Sequence, residues 1–296
     1  MFKYPGHHLG DTWFAIDGDR AHMYVLVCPL GVPRHTRWSI LHASSGDLWN
    51  WEPHGIVFDS RPEEPDWHCL STGSVCRYQD RWLMAFLANH NQPDPRTVLA
   101  ESTDLHHWRL LPGIEARMDG ELYTRRPSRP FKNPRWRDPF LFLHEGVLHQ
   151  LITAASADLP DDRDGVVGLM RTRDLRTWEM LPPLNTPALG TDLECPKLHC
   201  IGGTWRLIVS MFNVLQSPDF ASRQPEGLNP STSFFFSAPR MQGPYRGEGD
   251  CRVLSQDAPG CPYACSLVRW KGKWALLGTC WSDRLGDSIS DPIQVF

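Results

Sequence analysis

The sequence has no long apolar run and no block of like charge. No apolar stretch approaches the roughly 18 residues that a membrane-spanning helix needs, and residues 1–8 lack the apolar core of a secretory signal. The formal net charge is −4 over 296 residues, without a basic cluster. These absences argue against membrane proteins and nucleic-acid-binding proteins. We therefore expect no membrane and no nucleic acid as a partner.

Cysteine is present, but not at the density of a disulfide scaffold. The chain has nine cysteines, an odd number, and they are spread from Cys28 to Cys280. Scattered cysteines of this kind are typical of free thiols in a reducing compartment. We therefore predict a cytoplasmic location.

Motifs for cofactors and metals are also missing. The sequence contains no Gly-x-Ser-x-Gly elbow, no phosphate-binding loop and no dinucleotide fingerprint. The candidate zinc ligands are Cys195 with His199 and Cys200, or Cys261 with Cys265. No paired Cys-x-x-Cys accompanies them, so buried thiols are the favoured interpretation. We predict no metal and no cofactor.

Residues that favour strands and turns are abundant instead. The chain has 13 Trp, 26 Pro and 23 Gly, and helical periodicity is scarce. One turn motif occurs three times, at residues 45–51, 102–108 and 172–178. Each copy has a hydroxyl residue, one further residue, Asp-Leu, two residues and Trp. Asp and Ser/Thr side chains form local hydrogen bonds in turns, so each copy predicts a tight turn before a strand.

A second repeat interleaves with this turn motif: a short strand, a tight turn with Gly or Asp, and an apolar strand. The predicted pairs are 12–16 with 22–27, 73–78 with 81–87, 139–143 with 147–153, 195–200 with 204–211, and 264–270 with 273–280. The pairs recur every 56 to 69 residues, a spacing typical of β-propeller blades. We predict an all-β fold, a five-bladed β-propeller that forms a single domain over residues 1–296. An irregular β-sandwich is the alternative, and residues 116–135 are expected to cover one face.

Three carboxylates begin predicted innermost strands. Because the first strand of each blade lines the central channel, Asp11, Asp138 and Glu194 should meet in one funnel. Carboxylates that share a wet funnel repel one another, which drives their pKa values apart. One protonated and one ionised carboxyl group are the pair that glycoside cleavage needs.

The neighbours of each carboxylate suggest its role. Glu194 has apolar neighbours, which favour a raised pKa and the role of general acid and base. Asp11 follows a glycine, which permits close approach of a ligand, and is the candidate nucleophile. Asp138 follows an arginine and is expected to stay ionised beside the transition state. Trp13 and Trp38 are candidates for apolar walls against a sugar, although core packing is the more common role of a single Trp.

These motifs resemble glycoside hydrolase family 32 and, more broadly, its superfamily with families 43 and 68. That family carries Asn-Asp-Pro on its first strand, then Ser-Gly-Ser, Arg-Asp-Pro, Glu-Cys and a late Tyr-Ala. The segments that match are 137–139 (Arg-Asp-Pro), 194–195 (Glu-Cys), 72–74 (Thr-Gly-Ser), 263–264 (Tyr-Ala) and 42–48 (His-Ala-Ser-Ser-Gly-Asp-Leu, like the family's His-Ala-x-Ser-x-Asp-Leu). The resemblance covers nearly the whole chain.

The resemblance implies a retaining β-fructofuranosidase that acts on a small oligosaccharide or glycoside. It gives Asp11 the role of nucleophile, Asp138 that of transition-state stabiliser and Glu194 that of acid and base. The implied substrate-binding residues, with the two tryptophans above, are Thr72, Ser74, Arg137 and Tyr263. The chain departs from the pattern in its first motif, which reads Gly-Asp-Thr-Trp at residues 10–13, and in ending soon after the fifth blade without the family's C-terminal β-sandwich.

Two other functions stay open at the level of sequence. An inverting arabinofuranosidase or xylosidase like those of family 43 would use Asp11 as general base to a water. A carbohydrate-binding propeller without activity would bind a sugar in the funnel and would not cleave it. A homo-oligomer, in which a partner subunit covers apolar surface, is also compatible with the sequence.

Overall fold

The computed structural model describes residues 1–33, 36–90, 92–118, 120–127, 130–225, 231–254, 262–282 and 286–295. Cys261, one of the imagined zinc ligands, lies outside this range. The described residues contain five antiparallel sheets and two short helical segments. No helix in these ranges is both long enough and apolar enough to cross a bilayer.

The strands group into five blades in chain order. Blade 1 contains β1 (His7–Asp17), β2 (Arg20–Pro29), β3 (Ser39–Ser45) and β4 (Glu52–Phe58). Blade 2 contains β5 (Gly73–Tyr78), β6 (Arg81–Leu87), β7 (Arg96–Ser102) and β8 (Arg109–Arg117). Blade 3 contains β9 (Arg137–His144), β10 (Val147–Ala155), β11 (Gly165–Thr172) and β12 (Glu179–Leu181).

The last two blades are less regular. Blade 4 contains β13 (Glu194–Ile201), β14 (Thr204–Met211) and β15 (Thr232–Ala238). Blade 5 contains β16 (Tyr263–Trp270), β17 (Lys273–Ser282), β18 (Gly286–Ile289) and β19 (Ile293–Val295). A 3₁₀ turn (Asn213–Leu215) and α1 (Pro218–Ala221) connect β14 to β15. The described part of blade 4 has three strands where about four were expected, and single bridges from Arg246 and Arg252 follow the edge of β15.

The predicted fold class is confirmed. Each of the five predicted hairpins is the inner pair of one blade, and the pair β5–β6 has the predicted bounds. The innermost strands β1, β5, β9, β13 and β16 contact one another in sequence, and β16 contacts β1. The ring is also joined near its ends, because Phe2 exchanges two backbone hydrogen bonds with Ile289 of blade 5, at 3.0 and 2.9 Å.

The three copies of the turn motif have one geometry. In the second copy, the Leu105 backbone N–H donates to Ser102 Oγ at 2.9 Å, and the next two backbone N–H groups donate to Asp104 Oδ1, both at 2.8 Å. The first and third copies repeat this pattern. The leucines adopt left-handed backbone angles, with φ of 68°, 64° and 64°. The motif therefore acts as the predicted turn, because side-chain oxygens satisfy the backbone donors that the turn leaves free.

Candidate active site

The innermost strands share an irregularity near their first residues. The pairing of β1 with β2 skips residues 10 and 11, and the pairings of β9, β13 and β16 skip 138–139, 195–196 and 264–265. Asp138, Cys195 and Ala264 have positive φ angles of 59°, 50° and 51° at these bulges. A bulge bends its strand and redirects a side chain. Four of the five blades therefore present an irregular segment to the same end of the channel.

One cavity of about 570 Å³ opens at this end of the channel. Asp11, Asp138 and Glu194 all line it, as do Arg137 and Tyr263. The structure thus brings together the three predicted carboxylates from blades 1, 3 and 4. Residues 130–135 of the predicted insertion, all within the described part of that loop, also line the cavity.

Asp11 lies between groups that act on its charge in opposite directions. Burial raises the pKa of Asp11 to about 6, repulsion from Asp138 acts in the same direction, and a hydrogen bond from the Thr72 hydroxyl opposes the rise. The Cys195 thiol lies 3.3 Å from Asp11 Oδ2, and the buried Lys197 ammonium also lowers the pKa. Asp11 can therefore change its charge between acidic and neutral pH.

Asp138 is held from two sides within the core of the ring. The Thr153 hydroxyl and the Cys195 backbone N–H both donate to Asp138 Oδ2, at 2.9 and 3.1 Å. The Asp138 side chain is 4% exposed. Oxygen atoms of Asp11 and Asp138 and the Cys195 sulfur lie within 4.8 Å of one another. Two carboxyl groups this close form a strongly negative surface that would favour positive charge on a bound ligand.

Glu194 shares a guanidinium with a carboxylate that the sequence analysis missed. Arg137 Nη2 donates to Glu194 Oε1 at 2.7 Å and also to Asp192 Oδ2. The Tyr263 hydroxyl donates to the second oxygen of Glu194. Asp192 has a fully buried side chain. Burial, with the neighbouring charge of Glu194, raises the pKa of Asp192 well above the usual range, although Arg137 opposes the rise. Asp192 and Glu194 therefore form an acidic pair that shares one guanidinium group.

Three aromatic side chains form an aromatic wall of the cavity: Phe212, Tyr263 and Trp281. Tyr263 stacks on Phe212, with ring centroids 4.8 Å apart, and lies 5.1 Å from Trp281. Trp281 Nε1 donates to the Leu9 carbonyl at 3.0 Å, which joins blade 5 to blade 1. Trp38, one of the candidate sugar contacts, also lines the cavity. Flat aromatic rings beside polar groups are suited to the apolar faces of a sugar.

The other predicted substrate-binding residues do not line the cavity. Trp13 is 2% exposed and stacks on Tyr24 in the core. Ser74 is buried, and its Oγ accepts a hydrogen bond from the Leu141 backbone N–H at 2.8 Å, which joins blades 2 and 3. Thr72 is buried and reaches the site through its hydrogen bond to Asp11. Trp13 and Ser74 thus occupy packing positions, and Thr72 supports a carboxylate.

The sequence gives a signal for one of the site residues that the sequence analysis missed, but not for the others. Asp192 lies two positions before Glu194, and side chains two apart in an extended chain point the same way. This spacing could have revealed it. Phe212 directly follows β14 and Trp281 is the second-last residue of β17, so their positions depend on how those strands end. No local signal in the sequence marks them.

The Cys195 thiol donates to Asp11 Oδ2 in this arrangement. Burial, with the charges of Asp11 and Asp138, raises the pKa of Cys195 well above its usual range, which favours the protonated thiol. Cys200, at the other end of β13, is exposed. The imagined set of Cys195, His199 and Cys200 is not among the groups of described residues whose ligand atoms converge.

Comparisons with known proteins agree with this architecture. Residues 16–229 match the model of the glycosyl hydrolases family 32 N-terminal domain. An invertase from Debaryomyces hansenii is 23% identical over 160 residues, which are 53% of this chain and 28% of that invertase. The chain therefore spans little more than a quarter of that relative.

Solved structures show the same fold. An inulosucrase from Halalkalicoccus jeotgali bound to kestose has a TM-score of 0.73 and 22% identity, covering 94% of this chain and 77% of that one. A sucrose-6-phosphate hydrolase from Lactobacillus gasseri has a TM-score of 0.72 and 18% identity, covering 98% and 60%. The family match contains Asp138 and Glu194, whereas Asp11 and Tyr263 lie outside it. Since the match spans more than half of the chain, this protein belongs to glycosyl hydrolase family 32.

Proposed function

We propose that this protein is a glycosidase that cleaves or transfers a terminal fructofuranosyl unit. The observation that carries the proposal is the meeting of Asp11, Asp138 and Glu194, from three blades, in one cavity with an aromatic wall. The family membership supports the reaction class. A solved structure with the same fold, the inulosucrase, is bound to the sugar kestose, which is consistent with a sugar substrate.

The proposed reaction has two steps. Asp11, as the carboxylate, attacks the anomeric carbon while Glu194 donates a proton to the departing glycosidic oxygen, so that an ester to Asp11 forms as the C–O bond breaks. Water then attacks the same carbon, Glu194 takes its proton, and Asp11 leaves. An acceptor sugar in place of water gives transfer. The Asp138 carboxyl group stabilises the positive sugar ring.

Arg137 and Tyr263 are proposed to set the position of Glu194. Each donates to a different oxygen of that carboxyl group, so its rotation is restricted before a substrate arrives. Such restriction keeps a proton donor within reach of the leaving oxygen and lowers the entropic cost of the reaction. Trp38 and the aromatic wall around Tyr263 are proposed to hold the sugar.

A panel of sugars and matched variants tests the proposal. We expect the wild type to act on sucrose or fructo-oligosaccharides, with the product anomer retained when it is read early by NMR. Asp11→Asn and Glu194→Gln should each lower kcat/KM by at least about 10²–10⁴-fold. Asp17→Asn, at the exposed end of the same strand β1, and Glu179→Gln, in an exposed ion pair, should leave the rate unchanged.

Three outcomes would contradict the proposal. Turnover of aryl arabinofuranosides alone, with inversion, would favour the chemistry of family 43. Sugar binding without turnover by the wild type would indicate a carbohydrate-binding propeller. Full activity of Glu194→Gln on a substrate with a poor leaving group would remove Glu194 from the role of acid. A cytoplasmic location remains a prediction from the cysteine content.

A further inference from the structure

A second cavity, of about 520 Å³, lies between blades 1 and 2 and is rich in histidine. It shares no lining residue with the cavity around Asp11. Its histidines are His42 on β3, His54 on β4, and His106 and His107 in the turn that follows β7. The proposed glycosidase chemistry uses none of them.

Three of these side chains converge. One ring nitrogen from each of His42, His54 and His106 lies within 4.8 Å of the other two. The ring centroids are 4.8 Å apart for each of the three pairs. A tetrahedral Zn²⁺ with nitrogen ligands at 2.0–2.1 Å would hold them about 3.4 Å apart. His54 and His106 are exposed residues, so their rings have room to move closer to that separation.

The His42 ring is buried and incompletely hydrogen-bonded. His42 is 0% exposed, and its Nδ1 has no hydrogen-bond partner among the described residues. Its Nε2 lies 3.0 Å from Nδ1 of His22, which fixes the plane of the ring. A buried polar atom without a partner is costly, and a bound ion or water is a usual explanation. An ion in this cavity would give the ring a partner.

The charge around the cluster also suits a cation. Asp17, Glu52 and Asp104 face the histidines, while Arg20 is the opposing positive charge. Carboxylates outnumber cations around the cavity.

We propose that His42, His54 and His106 bind a divalent transition-metal ion of the type of Zn²⁺. Imidazole nitrogens suit Zn²⁺, Ni²⁺ and Cu²⁺, and three histidines leave a fourth position for water. With the metal on Nδ1, His42 would donate its Nε2–H to His22 Nδ1, and this hydrogen bond would orient the ligand ring from outside the coordination sphere. Because His106 belongs to blade 2 and the other two ligands to blade 1, the ion would join two blades.

Calorimetric titration with Zn²⁺ alone tests this site. All proteins would carry Cys200→Ser, which removes the exposed thiol. We expect one Zn²⁺ per chain, and at least a tenfold loss of affinity in His54→Gln and in His106→Gln. His107→Gln is the matched control, because His107 is adjacent to His106, is exposed and contacts Asp104 outside the converging set. It should bind Zn²⁺ as tightly as the parent protein.

A second measurement does not depend on variants. Saturating Zn²⁺ should shift the imidazole NMR resonances of His42, His54 and His106, leave those of His107 in place, and raise the midpoint of thermal unfolding. Absence of saturable binding would overturn the proposal. So would equal affinity in all the variants, or resonance shifts confined to histidines outside the cluster.

Discussion

The carboxyl group of Asp11 owes its proton affinity to neighbours on three other blades. Thr72 precedes blade 2, Asp138 belongs to blade 3, and Lys197 belongs to blade 4. Burial and Asp138 raise the pKa of Asp11, whereas Thr72 and Lys197 lower it, and the balance lies at about 6. A nucleophile must be ionised, so the state of this one group should govern activity under mildly acidic conditions.

We expect the acid limb of the pH profile to report Asp11. Below about pH 6 the carboxyl group is protonated, so kcat/KM should fall about tenfold for each pH unit. Thr72→Val removes the hydrogen bond that lowers the pKa and should move this limb to higher pH. Thr72→Ser keeps the hydroxyl and should restore the wild-type profile. An acid limb that stays at the same pH in Thr72→Val would separate Asp11 from this titration.

Asp192 should act as a positioning residue through Glu194 and Arg137. Replacing Asp192 with Asn disrupts the contact that holds Arg137, which also donates to Glu194. Small displacements of catalytic groups can cost about 10²-fold in rate. We therefore expect a lower kcat/KM, with a larger loss on substrates that have a poor leaving group and so depend most on a proton donor.

The leaving group distinguishes this role from a purely structural one. A variant that only loosens the site would lower the rate equally on substrates with good and with poor leaving groups. Asp250→Asn is the matched control, because Asp250 also pairs with an arginine, Arg252, on the edge of blade 4. That variant should keep the wild-type rate on both kinds of substrate.

At the scale of elements, local patterns predicted pairings well and bulges poorly. The alternation of strand and turn residues located all five inner hairpins, because a tight turn leaves few alternative registers. The bulges at Asp138 and Cys195 were not predicted, since an extra residue in a strand is defined by the partner strand. Those bulges aim the site residues, so sequence located the carboxylates but not their orientation.

Close packing leaves no room for a side chain at Gly73 on the inner strand β5. A Cβ at Gly73 would lie 2.4 Å from the Ala85 carbonyl oxygen on the next strand and 3.2 Å from the Trp13 ring. Both neighbours are buried, so β5 would have to move. We expect Gly73→Ala to lower the free energy of unfolding by about 1–3 kcal/mol in denaturant titrations.

Gly46→Ala is the control for Gly73→Ala. It makes the same chemical change in the first copy of the turn motif, where a Cβ would meet no atom within 4 Å. Its effect on the free energy of unfolding should lie within about 0.5 kcal/mol. Equal losses in the two variants would show that the contact with Ala85 does not explain the effect.

At the scale of the whole molecule, repetition was the most informative property of the sequence. Five similar units imply a closed ring, because no single sheet can bury both of its faces. The cavity was predictable as a meeting point of strand starts. The aromatic wall and the pair formed by Asp192 and Glu194 were not, since they depend on how separate blades approach one another.

The pairing of Phe2 with Ile289 makes the order of the blades along the chain partly arbitrary. These backbone hydrogen bonds, and the ion pair between the terminal amine and Asp291, hold the two ends of the described chain side by side. A circular permutant with those ends joined by a short glycine-serine linker, and opened at the exposed turn Gly202–Gly203, should keep every strand neighbour. We expect it to unfold cooperatively by circular dichroism, whereas a permutant opened between the buried Ile208 and Val209 of β14 should not.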